Sequence, residues 1–417
     1  MSGSNAARIP RGRETRVFPF CACVAGMLLT VTCPAASSAA TQPGLLMSGV
    51  QPASAPILWP THGWATDTPE TQGIDSNALV SAMNTIRARH LPVRSLLIER
   101  HGTIVLDAYF YPFADNQTHE AASVTKSVVA TLVGIAAGDH ARADLDAPVS
   151  SYLALNDADR DDPRKARITL ADALSMTSGL DCSARNGRSP EQQMEQSPHW
   201  AANVLGRRET AEPGRKFAYC GGSMQIVSAV LTKMTGMSAA DYARNTLFAP
   251  LGIEPPVWAT PANADGVSSG FTGLWLQPRD MAKLGYLWLH DGMWDGTQIV
   301  PASYVTAALA PHAYVSPTVR YGYGMWLYPG RGHMGGPPDF EANGVGGQRI
   351  AVVPSQDMVV VITGHGLDAN NVSALIADVV KSDQAMPADP AGDARLKMSV
   401  ADASFHSPSH VAAAELQ

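Results

Sequence analysis

The chain has 417 residues, 45% of them hydrophobic and 16% charged, with a formal net charge of −7. Its first forty residues carry four arginines and one glutamate, so the remainder stands at −10 (−7 minus 3). An acidic chain without a basic cluster lacks the electrostatic footprint that nucleic acid requires, and beyond the N-terminal run no segment is long and apolar enough to span a bilayer.

The N-terminus reads as an export signal: Arg8, Arg11, Arg13 and Arg16 precede an apolar run over 17–31, and small residues over 35–40 follow. Residues 1–40 are therefore expected to be a signal peptide, and the chain to be periplasmic or secreted. Cys21, Cys23 and Cys33 fall inside that segment. Lipid attachment at Cys33 is disfavoured, because Thr30-Val31-Thr32 supplies no small residue at the cleavage point. Cys182 and Cys220 remain, and in an oxidising compartment one disulfide is expected. Pro, Ala and Ser fill 41–65, which reads as a flexible linker before a domain over 66–383; residues 384–417, rich in Ala, Asp and Ser, read as a disordered tail.

The domain opens with a helix over 76–89, where Leu79, Met83 and Ile86 recur at helical spacing. Strand-like runs over 95–100 and 103–111 follow, joined at the tight-turn pair His101-Gly102. At the far end, 348–353 and 358–363 read as two more strands, followed by a helix over 371–381. Strands at both ends with a mostly helical middle predict an α/β (α+β) fold, one antiparallel sheet closed by both ends of the domain and carrying a helical lobe over about 140–265.

The run Ser123-Val124-Thr125-Lys126 opens an apolar helix containing Val128, Val129, Leu132, Val133 and Ile135. Residues three apart on a helix share a face, so the Lys126 amine can reach the Ser123 hydroxyl and, with its pKa lowered by desolvation, act as its base. None of the other six lysines has a serine three residues before it. The competing reading, an N-cap serine and a solvated first-turn lysine, is at odds with the helix dipole and the apolar sequence that follows. Further on, Phe217-Ala218-Tyr219-Cys220-Gly221-Gly222 precedes a helix over 224–235 and places Tyr219 on a loop. Asn343-Gly344-Val345-Gly346-Gly347-Gln348 enters the penultimate strand, its glycines allowing close approach of backbone amides to a ligand.

Taken in that order, Ser-x-x-Lys, a loop tyrosine and a Gly-rich strand resemble the serine hydrolases related to class C beta-lactamases and DD-peptidases. The segments 173–180, 247–252 and 273–282 are similar to that family's connecting segments, and the resemblance covers about 70–380. It implies Ser123 as acylated nucleophile, Lys126 and Tyr219 as the proton-transfer pair, the amides of Ser123 and Val345 as the oxyanion hole, and Gly221, Gly346, Gly347 and Gln348 along the substrate cleft. No cofactor or metal is called for. Beta-lactamases of this kind place Asn two residues after the tyrosine and a basic residue in the third motif, whereas this chain has Gly221 and no lysine near Val345. The family's esterases and amide-dimer hydrolases are therefore the better guide, and the expected substrate is a small ester or amide. The alternatives are a beta-lactamase or DD-peptidase, and a non-catalytic peptidoglycan- or ligand-binding module of the same fold. His333 and Arg349 are the candidate replacements for the missing cation.

Two further patterns compete. Gly266-Val267-Ser268-Ser269-Gly270 matches the nucleophile elbow of alpha/beta-hydrolases, but the polar, Pro-bearing stretch before it is not the buried strand an elbow needs. The acidic run over 157–162 begins like a calcium loop, yet Asp162 stands where glycine is needed and Ile168 where the bidentate glutamate should be, so a solvated turn is expected.

Overall fold

The run Met358-Val359-Val360-Val361-Ile362 shows how the protein is layered: its side chains alternate between two separate cores, so the strand is apolar throughout. In the computed structural model, which describes residues 57–138, 145–156, 162–329 and 338–405, this run lies within a nine-stranded sheet. The strands are β1 (Ala65–Thr66), β2 (Val93–Arg100), β3 (Thr103–Tyr109), β4 (Ala313–Ser316), β5 (Val319–Tyr321), β6 (Trp326–Tyr328), β7 (Asp339–Gly344), β8 (Gln348–Val353) and β9 (Met358–Gly364). Their spatial order is β1-β3-β2-β9-β8-β7-β6-β5-β4, antiparallel throughout except for β1 with β3. The hairpin joining β2 and β3 turns at His101 and Gly102, whose positive φ values of 54° and 77° suit a tight hairpin turn.

Among the helices that frame the two cores and the site are α1 (Ser76–Ala88), α2 (Val124–Ala137), α3 (Pro190–Glu195), α4 (Gly221–Thr235), α5 (Pro278–Leu289) and α6 (Pro390–Phe405). Met358, Val360 and Ile362 share one core with Leu79, Met83 and Ile86 of α1 and Leu396 of α6. Val359 and Val361 share the other with Ile350, Val352, Leu284 of α5 and Val128 and Leu132 of α2. Fully burying each such side chain contributes about 1.5–3 kcal/mol. Among the described residues of 140–265 the named elements are all helical, as the sequence predicts, and α4 there packs against α2.

Three expectations are corrected. The flexible linker expected over 41–65 is packed in its described part: the Trp59 ring meets Tyr286 at 5.7 Å between centroids, Trp294 Nε1 donates to Thr61 Oγ1 at 2.8 Å, and Ala65 pairs with Thr103. The helix expected over 371–381 is only Asn370–Ser373; beyond it the chain turns to pair with the start of α1, where Asp75 N donates to Val379 O at 3.0 Å and Ile74 bridges Val380. Residues 384–405 are not a disordered tail but carry α6, fastened to α1 where Asn77 donates to Asp389 at 2.8 Å and Arg395 donates to Asn77 at 2.6 Å. Small residues, Gly392 and Ala403, form most of its buried stripe, so the helix docks without the large apolar side chains that reveal a core face in sequence. The signal segment, His333 and the acidic residues 157–161 lie outside the described residues. Among the described residues, no helix is long and apolar enough to cross a membrane.

Candidate active site

Helix α2 is buried on nearly every side and pinned by polar contacts: Ser127 Oγ donates to Gly324 O at 2.6 Å, Tyr304 OH to Ala130 O at 2.5 Å, and Trp288 Nε1 to Thr131 Oγ1 at 3.0 Å. Its N-terminus is therefore a fixed platform. Ser123 occupies the N-cap position, but its side chain caps no backbone amide. Instead Ser123 Oγ stands 2.6 Å from Lys126 Nζ, as the helical spacing requires. Lys126 is 3% exposed rather than solvated, and its Nζ also donates to Phe271 O at 3.2 Å. Burial lowers its pKa to about 7, against the opposing pull of Glu191 and then Glu120. A lysine at that value is substantially neutral near physiological pH and can accept the serine proton.

Tyr219 closes the other side. Its ring centroid lies 4.9 Å from Lys126 Nζ. Burial raises its pKa, Ser123 drawing it back, so the phenol is protonated near neutrality. The ring rests against Trp326 at 5.3 Å, Tyr321 at 6.1 Å and Phe217 at 6.5 Å between centroids. The backbone before it is tied to residues 176–179: Ala218 N donates to Met176 O at 2.8 Å and Gly214 N to Thr177 O at 2.9 Å. Cys182 and Cys220 are bonded, with a Cα–Cα distance of 5.8 Å, which adds a covalent tie at the residue following Tyr219.

The Gly-rich segment reaches the serine because of one glycine. A β-carbon on Gly344 would stand 2.6 Å from Ala121 O and 2.9 Å from Ala122 Cβ, so only glycine lets the end of β7 abut the turn before Ser123. Val345 follows, 84% exposed, and Gly346 and Gly347 complete the turn into β8 at φ 84° and 100°. Among the described residues, neither the Ser123 nor the Val345 amide donates to a backbone carbonyl. Gln348 is differently employed: its Nε2 donates to Gly364 O at 2.7 Å, which holds β8 and β9 together. Arg349 is on the opposite face of the sheet, where it pairs with Glu341 at 3.3 Å and donates to Asn343, Ser373 and Asn370. It therefore cannot serve the cleft. The site-facing residue two positions before Gly344 is Ala342, fully buried and without charge.

Ser268, the rival nucleophile, is fully buried and accepts a hydrogen bond from Ala240 N at 3.1 Å, with Thr260 Oγ1 3.0 Å away. It is a structural hydroxyl. Asp162 is engaged by Arg164 at 2.7 Å in a local turn. No group of three or more His, Cys, Asp or Glu among the described residues is arranged to hold a metal.

Sequence reasoning missed Glu191, Glu120 and Phe271. Glu191 accepts from Gly221 N at 2.9 Å; Glu120 accepts from Thr272 Oγ1 and Gly273 N, both at 2.8 Å. The local signal around Glu191 is the capping-box pattern Ser189-Pro190-Glu191-Gln192, which marks a helix start rather than a site.

A family model described as Beta-lactamase matches residues 77–382. The 6-aminohexanoate-dimer hydrolase of Paenarthrobacter ureafaciens is 24% identical over 235 residues, which cover 52% of this chain and 57% of that protein, so the chain spans just over half of that relative's length. Among solved structures, a penicillin binding protein from Bacillus halodurans superposes with a TM-score of 0.56 at 18% identity, over 71% of this chain and 99% of that one. EstCE1, a hydrolase with promiscuous acyltransferase activity, superposes with a TM-score of 0.58 at 17% identity, over 74% of this chain and 99% of that one. The fold is thus that of penicillin-binding and beta-lactamase-like proteins, and the chain belongs to the beta-lactamase family.

Proposed function

We propose that this protein is a serine hydrolase that cleaves a small ester or amide through an acyl-enzyme on Ser123, and that it is esterase-like rather than a beta-lactamase. The observation that carries this reading is the 2.6 Å contact between Ser123 Oγ and a buried Lys126 whose pKa lies at about 7. Neutral Lys126 takes the hydroxyl proton as Oγ bonds to the substrate carbonyl carbon. Negative charge moves to the carbonyl oxygen, which the amides of Ser123 and Val345 receive. The proton then passes from Lys126, with the protonated Tyr219 phenol as relay, to the departing oxygen or nitrogen, and the acyl group stays on Ser123. Water enters by the same base, breaks the acyl ester and returns the proton to Oγ.

The ester preference is supported by the charge around the site. Glu191 and Glu120 act on Lys126, whereas Arg349 faces away and Ala342 offers no cation. A fluorophosphonate should label one site, and peptide mass spectrometry should place it on Ser123; labelling elsewhere, or none with a panel of short nitrophenyl esters, would return the chain to a binding role. Export to the periplasm or cell exterior is proposed alongside, supported by the N-terminal signal pattern and by the Cys182–Cys220 bond, which persists in oxidising compartments.

A further inference from the structure

We propose that Glu191 is a positioning residue of this active site, delivering from α3 the side chain that residue 221 lacks and thereby fixing the start of α4 and the loop that holds Tyr219. The inference rests on the catalytic reading of Ser123, Lys126 and Tyr219.

The argument is steric first. A β-carbon on Gly221 would stand 2.9 Å from both Cγ and Oε1 of Glu191 and 3.0 Å from Cδ2 of Phe271. The glycine is thus not an open gap beside the tyrosine; its side-chain volume is already occupied, by a carboxylate arriving from another helix. Two side chains, one from 191 and one from 221, exclude each other.

The second step is what the carboxylate does there. Cys220 supplies no side-chain cap to α4, and Glu191 Oε1 accepts from the amide of the first helical residue, Gly221, at 2.9 Å. A carboxylate at a helix N-terminus also complements the positive end of the dipole. Tyr219 lies two residues before that capped amide, and its ring packs on Trp326, Tyr321 and Phe217. Holding Gly221 therefore sets where the Tyr219 backbone leaves the helix.

The third step is electrostatic. The charged and titratable groups acting on Lys126 are Glu191 from α3, Glu120 from the segment before Ser123, and Tyr219 across the cleft. Glu191 itself also acts on Arg207, Glu195 and Tyr219. A negative charge near Lys126 favours its protonated form, so removing that charge lets the amine become a free base at lower pH.

The test compares wild type, Glu191→Gln, Glu191→Ala and the double variant Glu191→Ala with Gly221→Asn, using a neutral nitrophenyl ester and a fluorophosphonate across pH 5–10. Glu191→Gln keeps the acceptor but not the charge: its alkaline kcat should stay within about threefold of wild type while the acid limb moves to lower pH. Glu191→Ala should lose about tenfold or more in kcat with KM little changed, and the double variant should recover at least about threefold over it, because an amide from 221 refills the vacated volume. A Glu191→Ala enzyme within about twofold of wild type, an acid limb in Glu191→Gln that stays or rises, or a double variant no better than Glu191→Ala would each overturn the proposal. Should Glu191→Ala prove unfolded by circular dichroism, the acid limb of Glu191→Gln decides. Absence of label at Ser123 in the wild type would instead refute the catalytic reading, so the two failures are told apart.

Discussion

Gly344 and Ala121 approach so closely that a β-carbon at 344 would meet the Ala121 carbonyl oxygen at 2.6 Å. That contact sets the distance between the Val345 amide and Ser123, and hence the geometry of the proposed oxyanion hole. Gly344→Ala should push β7 away from the serine turn and misplace one donor. Loss of one such donor costs about 10²–10³ in kcat, and the overpacking about 1–3 kcal/mol of stability. Steady-state ester hydrolysis beside a urea melt checks both; a fully active Gly344→Ala enzyme would remove Val345 from the oxyanion hole.

Lys126 connects activity with stability. Its folded pKa of about 7 lies below the ordinary 10.5, so the unfolded chain binds more protons between those values and stability rises with pH through that window. Below pH 7 the buried ammonium carries its full desolvation cost. Lys126→Met should therefore be inactive yet more stable than wild type at pH 6, by on the order of 2–5 kcal/mol, with the difference shrinking toward pH 10. Thermal melts of both proteins at pH 6 and pH 9.5 measure it. Wild-type kcat/KM should rise through an acid limb near the Lys126 value of about 7. A limb near 4 would point to a carboxylate base instead.

The disulfide offers a separate handle on the tyrosine loop. Cys182 and Cys220 are 38 positions apart, and in the chain-entropy account a loop of that size is worth about 3–4 kcal/mol. The paired change Cys182→Ser and Cys220→Ser should lower the melting temperature and also reduce kcat, because Cys220 adjoins Tyr219. Thiol titration of the unfolded, unreduced protein should find no free thiol at these positions. Two titratable thiols there would contradict the bond.

How far the sequence foretold this site depends on the range of each signal. Ser123 with Lys126 is legible because the two lie three residues apart, and the strands over 348–353 and 358–363 because short apolar runs meet across the turn-forming Pro354-Ser355-Gln356-Asp357. Tyr219 and Val345 were placed by the order of motifs rather than by spacing, since nothing local tells a loop tyrosine in a cleft from one on a surface. Glu191 was out of reach: it meets Gly221 across 30 residues, and a vacant glycine and a glycine whose volume is filled from elsewhere read identically. Arg349 was a fair candidate cation by proximity to Val345, but period-two alternation sends it to the far face, where Glu341 and Asn343 take it up. The α6 helix is not legible in sequence because mostly small side chains dock it, and Ala, Asp and Ser are also the composition of tails.

The charge distribution leads to a prediction about substrate class. A beta-lactam carries a carboxylate that needs a fixed cation, and an amide that needs a donor two residues after the tyrosine. Here the residue on the serine-facing side of β7 is Ala342, the nearby Arg349 is buried on the opposite face, and Glu191 fills the volume beside Gly221 with negative charge. Each lost hydrogen bond or charge-assisted contact costs about 1–3 kcal/mol. Two together, on the order of 3–4 kcal/mol, correspond to about two to three decades in rate. A neutral ester asks only for the serine, its base and the oxyanion amides, all of which the proposed site supplies. On one preparation, kcat/KM for nitrophenyl butyrate should therefore exceed that for nitrocefin by about a hundredfold or more, and raising the ionic strength should narrow the gap by screening the Glu191 and Glu120 charges. Equal or faster nitrocefin turnover would mean that a cation reaches the cleft from outside the residues described, with His333 the first to replace by alanine.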